Sequence, residues 1–384
     1  MSKQPLSLYI HIPFCNRRCD YCHFYVVTGL EKLIPTYVAT LKNEVELISK
    51  SLNSFEISTV YFGGGTPSLL AGEQVLEIMN SIKAQFSLAK NLEITLEANP
   101  ENINLNNLKD YLAAGVNRLS LGLQAGQNNQ LKSMGRSYTV SDFQFAADLV
   151  KKTGFKNLNL DLIFGLPNQS LADWEEALTL ALAQNPQHLS CYSLELDHQS
   201  VFGQKYRRHQ LFPASDKLNR EFYQLAKTKL AAAGFNHYEI SNWALPEFEC
   251  QHNLNFWKNQ PYIGIGAGAH SFLQNQTWQN PPIIAKYLAT LANNILVKSE
   301  LNQISPEDLE IEATVLNLRL TAGLNIPEFQ AAHNFDPAQK FRLEWEQLEK
   351  QNLILKSPQN IQLTQQGRDF YDQIASLLWQ QTKI

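Results

Sequence analysis

Tyr9-Ile-His-Ile-Pro-Phe-Cys15-Asn-Arg-Arg-Cys19-Asp-Tyr-Cys22-His-Phe24 is the stretch on which the reading of this chain turns. Cys15, Cys19 and Cys22 stand in a C-x3-C-x2-C spacing, in a sequence with only five cysteines. Three thiolates within eight residues repel one another and stay protonated unless a metal compensates them. A structural zinc site wants four ligands in two pairs, and no C-x2-C or H-x3-H partner follows downstream. A disulfide scaffold needs an even count and a secreted context. Three cysteines do suit a cubane iron–sulfur cluster with one iron left open, because thiolates favour such clusters and full ligation needs four.

Outward from this loop, short apolar runs alternate with amphipathic segments as far as about residue 195. The runs 8–12, 59–62, 93–97, 118–123, 158–163 and 188–194 read as strands. Between the first two, Tyr37, Leu41, Val45 and Ile48 recur at helical spacing and predict one buried face. The connection from Trp174 to Leu182 reads in the same way. Strands alternating with helices at this spacing predict βαβ units and a parallel sheet. Six units are fewer than the eight of a closed barrel, so the expectation is an α/β fold with a partial (β/α)6 barrel over residues 1–235. Its chemistry belongs at the carboxyl ends of the strands.

A further helix is expected from Ser215, as N-cap, to Ala233, with Gly234 closing it. Residues 236–300, rich in aromatics, Pro and Gly, read as an irregular segment. From 301 to 384 the pattern predicts a mostly helical, winged-helix-like module. Ser305-Pro306 opens a helix, 353–356 and 361–363 form a hairpin around Ser357-Pro-Gln-Asn, and a last helix starts near Thr364. Such modules often bind DNA, but residues 305–384 carry 7 Lys and Arg against 11 Asp and Glu, the wrong sign for phosphate.

Composition limits the remaining classes. The 384 residues are 44% hydrophobic and 18% charged, enough for a sizeable core and against disorder. A net charge of −4 argues against general nucleic-acid affinity. No signal peptide is legible at Met1-Ser-Lys-Gln-Pro5, and no run of 18 apolar residues suggests a membrane span. The expectation is a soluble protein of a reducing cytoplasm.

Several residues sit where a ligand would be held. Gly63-Gly64-Gly65-Thr66-Pro67 follows the second run, and three glycines let backbone approach a polar head group closely. Glu97 ends the third run and Gln124 the fourth. The Arg136 guanidinium suits a carboxylate bidentately, and Asp161, late in the fifth run, needs ribose hydroxyls or an arginine as partner.

The cysteine spacing after a short strand resembles the radical S-adenosylmethionine (SAM) superfamily. The phrase Tyr9-x-His11-Ile-Pro13-Phe14-Cys15 is similar to that of the oxygen-independent coproporphyrinogen III oxidase-like family, which includes the HemW-type haem chaperones. The resemblance runs nearly end to end. It implies that Cys15, Cys19 and Cys22 ligate a [4Fe-4S] cluster, and that Tyr9, Gly64, Gly65, Thr66, Glu97, Gln124, Arg136 and Asp161 contact SAM, with Ser193 a further contact. It also implies an electron donor for the cluster. One departure is visible: Ala125-Gly126 follows Gln124, where the family has Ser or Asp and then Phe.

Two activities are open within this family. Coproporphyrinogen dehydrogenases carry a fourth cysteine two residues after the third, where this chain has Phe24, and a long N-terminal extension, where it has about seven residues before its first strand. HemW-type haem chaperones have a C-x-F sequence there and an H-N-x-x-[FY]-W-like motif, matched by His252-Asn253-Leu-Asn-Phe256-Trp257. The resemblance therefore implies a haem carrier, with His252 as axial ligand, Phe256 and Trp257 against the macrocycle, and a haem-acceptor protein as partner. Imidazole is a competent ligand to haem iron. His11, His23, His270 and Cys250 compete for that role, and His270, in a Gly-Ala run permitting close approach of a flat ligand, is the second candidate.

Overall fold

The computed structural model describes residues 3–380. Six parallel strands lie side by side in chain order: β1 (Gln4–Ile12), β2 (Phe55–Gly64), β3 (Ser87–Ala98), β4 (Arg118–Gln124), β5 (Leu158–Phe164) and β6 (His188–Ser193). All six expected strands are present, and the first three run longer than their apolar cores. The crossovers begin and end with local signals. Thr139 with Asp142, and Ser170 with Asp173, form capping boxes, and Gly115 and Gly154 close their helices in the left-handed conformation.

The period-two alternation along these strands sorts the two faces of the sheet. Leu8, Ile10, Val60, Phe62, Leu96, Leu119, Leu121, Leu160 and Leu189 belong to one apolar core that includes the crossover helices. The alternate residues are buried but polar, among them His11, Thr59, Glu93, Thr95, Arg118, Ser120, Asn159 and His188. Such groups are tolerated inside only when hydrogen-bonded, and several are: Asn159 reaches Ser120 at 2.7 Å and His188 at 2.5 Å. The polar inner face is where a ligand can be held.

The stretch 236–300, expected to be irregular, instead supplies both margins of the sheet. On one side β7 (Asn236–Glu239) and β8 (Asn242–Ala244) add antiparallel strands beyond β6. On the other, β9 (Tyr262–Ile265) pairs parallel with β1, and β10 (His270–Leu273), β11 (Gln276–Gln279) and β12 (Ser299–Gln303) continue antiparallel. The result is an open twelve-stranded sheet, a partial barrel that does not close on itself. Strands of three to five residues with interspersed Gly and Asn are too short to show alternation in sequence.

The C-terminal region is helix-rich with its own core, built around Ile311, Phe329, Trp345, Leu348, Ile361 and Leu378. Its helices Pro306–Asn317, Ile326–His333 and Arg342–Lys350 precede a hairpin of β14 (Ile354–Lys356) and β15 (Asn360–Leu363), to which β13 (Leu324–Asn325) adds a third strand. Among the described residues, no helix is long and apolar enough to cross a membrane.

Candidate functional site

The carboxyl ends of β1 to β6 open into a cavity of about 470 Å³. Register brings its first two parts together: Ile12 pairs with Gly64, and Gly65 and Thr66 donate their N–H groups to the carbonyls of Ile12 and Phe14 at 2.9 Å. The cysteine loop therefore lies directly on the glycine turn. A Cβ at Gly65 would sit 2.7 Å from the Phe14 carbonyl oxygen, and one at Gly64 would meet the His11 ring at 2.5 Å. The glycines are required for this close approach of the two loops.

Cys15, Cys19 and Cys22 all line this cavity, Cys15 buried and the other two half-buried. The Cys15 Sγ lies 3.4 Å from the Thr66 hydroxyl. Burial pushes the Cys15 thiol up to about 11 and also raises that of Cys22, so thiolates here require a cationic partner. Among the described residues, no three His, Cys, Asp or Glu side chains converge on a single metal ion. Three soft donors spread around one cavity fit a polynuclear cluster.

The polar wall follows from successive strand ends. Glu97 accepts the Tyr61 hydroxyl at 2.8 Å and the Gly64 N–H at 3.3 Å, and burial pushes its carboxyl up to about 7. Asp161 accepts from Ser120 at 2.7 Å and Asn159 at 2.8 Å. Gln124 is buried in the left-handed region at φ 68°, and Gly122 leaves room for its amide. Arg136 donates to Asn99 at 2.9 Å and to the Tyr21 hydroxyl, while its buried Nε has no partner. An unpartnered guanidinium N–H and two carboxylates beside three thiols suit a zwitterionic ligand with hydroxyls. Ser193 lines the same cavity. Tyr21, Tyr61 and Asn99 are not singled out by the sequence; Tyr21 lies inside the cysteine stretch and Asn99 two residues beyond Glu97.

Tyr9 lines a second cavity instead, of about 480 Å³, on the β1 and β9–β10 side. His252, Asn253, Phe256, Tyr262 and His270 complete much of its wall. Tyr61, His23 and Phe24 face both cavities, so the two adjoin. His252 stands on the helix Gln251–Trp257, whose first N–H groups, those of Gln251 and His252, are capped by the Glu93 carboxylate at 3.0 Å. Its ring is 2% exposed. Nδ1 is held by the Thr59 hydroxyl at 2.7 Å, and Nε2 has no hydrogen-bond partner. Burial, with Arg118 acting in the same direction, pushes this imidazole down to about 3, so it stays neutral. Neutral imidazole with one nitrogen fixed is the form that ligates metals.

Aromatic rings surround it: Tyr61 stacks at 4.9 Å and Phe256 meets it edge-on at 5.2 Å. Trp257, expected on the same cavity, is turned away and lies under the Arg319 guanidinium at 4.2 Å, because a step of one residue on a helix points to another face. His11 is engaged at both nitrogens, by the Tyr9 hydroxyl at 3.2 Å and the Tyr25 carbonyl at 3.1 Å. Cys250 is buried against Glu93. His270 stands exposed at the cavity's rim.

Residues 9–181 match the family model described as "Radical SAM superfamily", and residues 304–370 match "HemN C-terminal domain". "Heme chaperone HemW" of Synechocystis sp. is 37% identical, covering 87% of this chain and 82% of that protein. The protein of the same name from Lactococcus lactis is 34% identical, covering 96% of this chain and 95% of its own. Among solved structures, the Escherichia coli radical SAM enzyme coproporphyrinogen III oxidase (HemN) superposes with a TM-score of 0.85 at 22% identity, over 98% of this chain and 91% of that one, a likeness of fold.

Proposed function

The chain belongs to the HemW-type, coproporphyrinogen oxidase-like branch of the radical SAM superfamily, and from that premise we propose that it is a cytoplasmic haem carrier that binds a [4Fe-4S] cluster, SAM and haem and passes haem to an acceptor protein. One observation carries this reading: a buried, neutral His252 with an unpartnered Nε2 lines an aromatic cavity that shares a wall with the cysteine cavity.

In this reading Cys15, Cys19 and Cys22 hold three irons of the cluster. Such a cluster, with SAM bound and an external electron donor, would supply one-electron reductive chemistry. The residues of the chain bind and orient. Gly64, Gly65 and Thr66, whose own N–H groups are held by Glu97, Ile12 and Phe14, would let the polar end of SAM approach the backbone closely. Arg136 would turn its free Nε–H to a carboxylate, and Glu97 and Asp161 would take ammonium and hydroxyl donors. Gln124 lies against the same ligand, and Tyr9 supports it from the side of the second cavity. There, His252 would hold the haem iron, and Phe256 and Tyr262 would offer aromatic faces to the macrocycle.

The test is anaerobic reconstitution with iron and sulfide, followed on one sample by haem titration and a coproporphyrinogen turnover assay. The carrier reading expects saturable haem binding and no sustained turnover, because Phe24 stands where the dehydrogenases place a cysteine. SAM-dependent formation of protoporphyrinogen would instead make the chain a dehydrogenase.

A further inference from the structure

We propose that Tyr61 couples the two cavities, so that a ligand held at Glu97 in the first tightens haem binding in the second; this rests on the carrier reading above. Tyr61 lines both cavities. Its hydroxyl donates to Glu97 Oε1 at 2.8 Å, and its ring stacks on His252 at 4.9 Å with an interplanar angle of 27°. Its other neighbour is Tyr9, stacked at 6.2 Å. One side chain thus touches the carboxylate at the SAM site and the imidazole at the haem site.

The packing around it leaves no slack. A Cβ at Gly63 would lie 2.9 Å from the Tyr9 ring, 3.0 Å from the Tyr61 ring and 3.2 Å from Glu97 Oε1. Three side chains converge where even a methyl group does not fit, and close-packed interiors transmit displacements. An ammonium or hydroxyl donor bound at Glu97 holds the carboxylate ionised, and an ionised oxygen is the stronger acceptor for the Tyr61 hydroxyl. The ring is then fixed against His252. A ligand arriving at the second cavity finds that ordering already done, which is positive cooperativity.

The experiment uses the full chain loaded anaerobically with its cluster and without reductant, so that SAM is not consumed. Haem is titrated with and without saturating SAM, in the parent and in Tyr61→Phe, which keeps the ring and removes the hydroxyl. In the parent, SAM is expected to tighten haem by about fivefold or more, and haem to tighten SAM by the same factor. In Tyr61→Phe the ratio falls below about twofold, whatever the variant does to either affinity alone. Gly63→Ala, which wedges the three side chains apart, lowers the ratio in the same direction and decides the matter if Tyr61→Phe does not fold. A parent that binds both ligands independently, or an unchanged ratio in both variants, overturns the coupling alone. A parent that binds no haem overturns the carrier reading and the coupling with it.

Discussion

The two cavities have nearly equal volumes, about 470 and 480 Å³, and opposite construction. The first is made from turns that follow consecutive strands of one parallel sheet, and its wall is thiol, carboxylate, amide and guanidinium. The second is aromatic and gathered from distant parts of the chain; Thr59, which orients His252, lies 193 residues before it. The first is held in place by the sheet itself. The second hangs on a few side-chain contacts: the Glu93 cap, the Thr59 hydroxyl, and the packing of the turn 266–269 between β9 and β10. A cavity of the first kind should fail only with its ligands, whereas one of the second kind should be sensitive to residues that never touch its occupant.

The largest expected effect concerns the ligands of the first cavity. Changing Cys15, Cys19 and Cys22 together to Ala should reduce reconstituted iron from about four per chain to none and abolish the visible cluster absorption. Iron content and absorbance measure this directly. A cluster that survives would refute the assignment of the first cavity.

The next effect concerns the scaffold of the second. Glu44 is buried and accepts from Tyr287 at 2.5 Å, Asn280 at 2.6 Å and the Gly266 N–H at 2.9 Å, holding the turn that carries His270. Burial raises its carboxyl from 4.5 to about 7. The folded state therefore binds more protons than the unfolded one between these values. This contribution to stability is full below about pH 4.5 and is lost as pH rises through about 7. Glu44→Gln should flatten the fall in stability between pH 5 and pH 8, by up to ~3 kcal/mol at ~1.4 kcal/mol per pKa unit. Urea denaturation at the two pH values provides the comparison, and an unchanged pH dependence would exclude Glu44 as its source.

His252→Ala should weaken haem binding by at least about tenfold, or ~1.4 kcal/mol, with the iron–sulfur spectrum intact. His270→Ala, at the exposed rim, should change it less. If the two results are reversed, the cavity is right and the iron is held at its mouth.

The same contrast explains what is legible in the sequence alone. The six strands were legible because Arg118-Leu-Ser-Leu-Gly-Leu-Gln124 and Leu158-Asn-Leu-Asp-Leu162 alternate in sequence as they do in space. Most groups proposed for the first cavity lie at or just after the carboxyl end of such a strand, so position along the chain predicted position in the fold; Tyr9, on the same inner face but lining the second cavity, is the exception. The margins of the sheet were not legible. β8 and β9 are three and four residues long, and they are strands because β6 and β1 offer them edges. Nor was the direction of Trp257, because the helix Gln251–Trp257 that turns it away from Phe256 lay in a stretch read as irregular.

That contact gives the smallest effect, and the one that most directly tests dependence on distant residues. Arg319 pairs with buried Glu239 at 3.3 Å and lies over the rings of Trp257 at 4.2 Å and Tyr371 at 5.3 Å. It therefore ties the C-terminal core to the helix that bears His252, without lining the second cavity. Arg319→Met keeps much of the side chain's length and removes the cation, forfeiting a cation–π contact worth about 0.5–2 kcal/mol. It also forfeits the ion pair of Glu239, whose carboxyl, already raised by burial, then takes up a proton. Only part of that loss should reach His252, because the Glu93 cap and the Thr59 bond still hold the other end of the helix. Haem affinity should fall by about threefold, or ~0.65 kcal/mol, while cluster content stays unchanged. Trp257→Ala should have a similar effect, since it removes the other half of the same contact. Amide exchange across Gln251–Trp257 should quicken in both variants whether or not haem is present, which separates a loosened helix from a lost ligand. If exchange quickens and haem affinity holds, the second cavity is as self-supporting as the first and the contrast between them fails. If haem binding is lost as completely as in His252→Ala, the C-terminal region is part of the haem site itself.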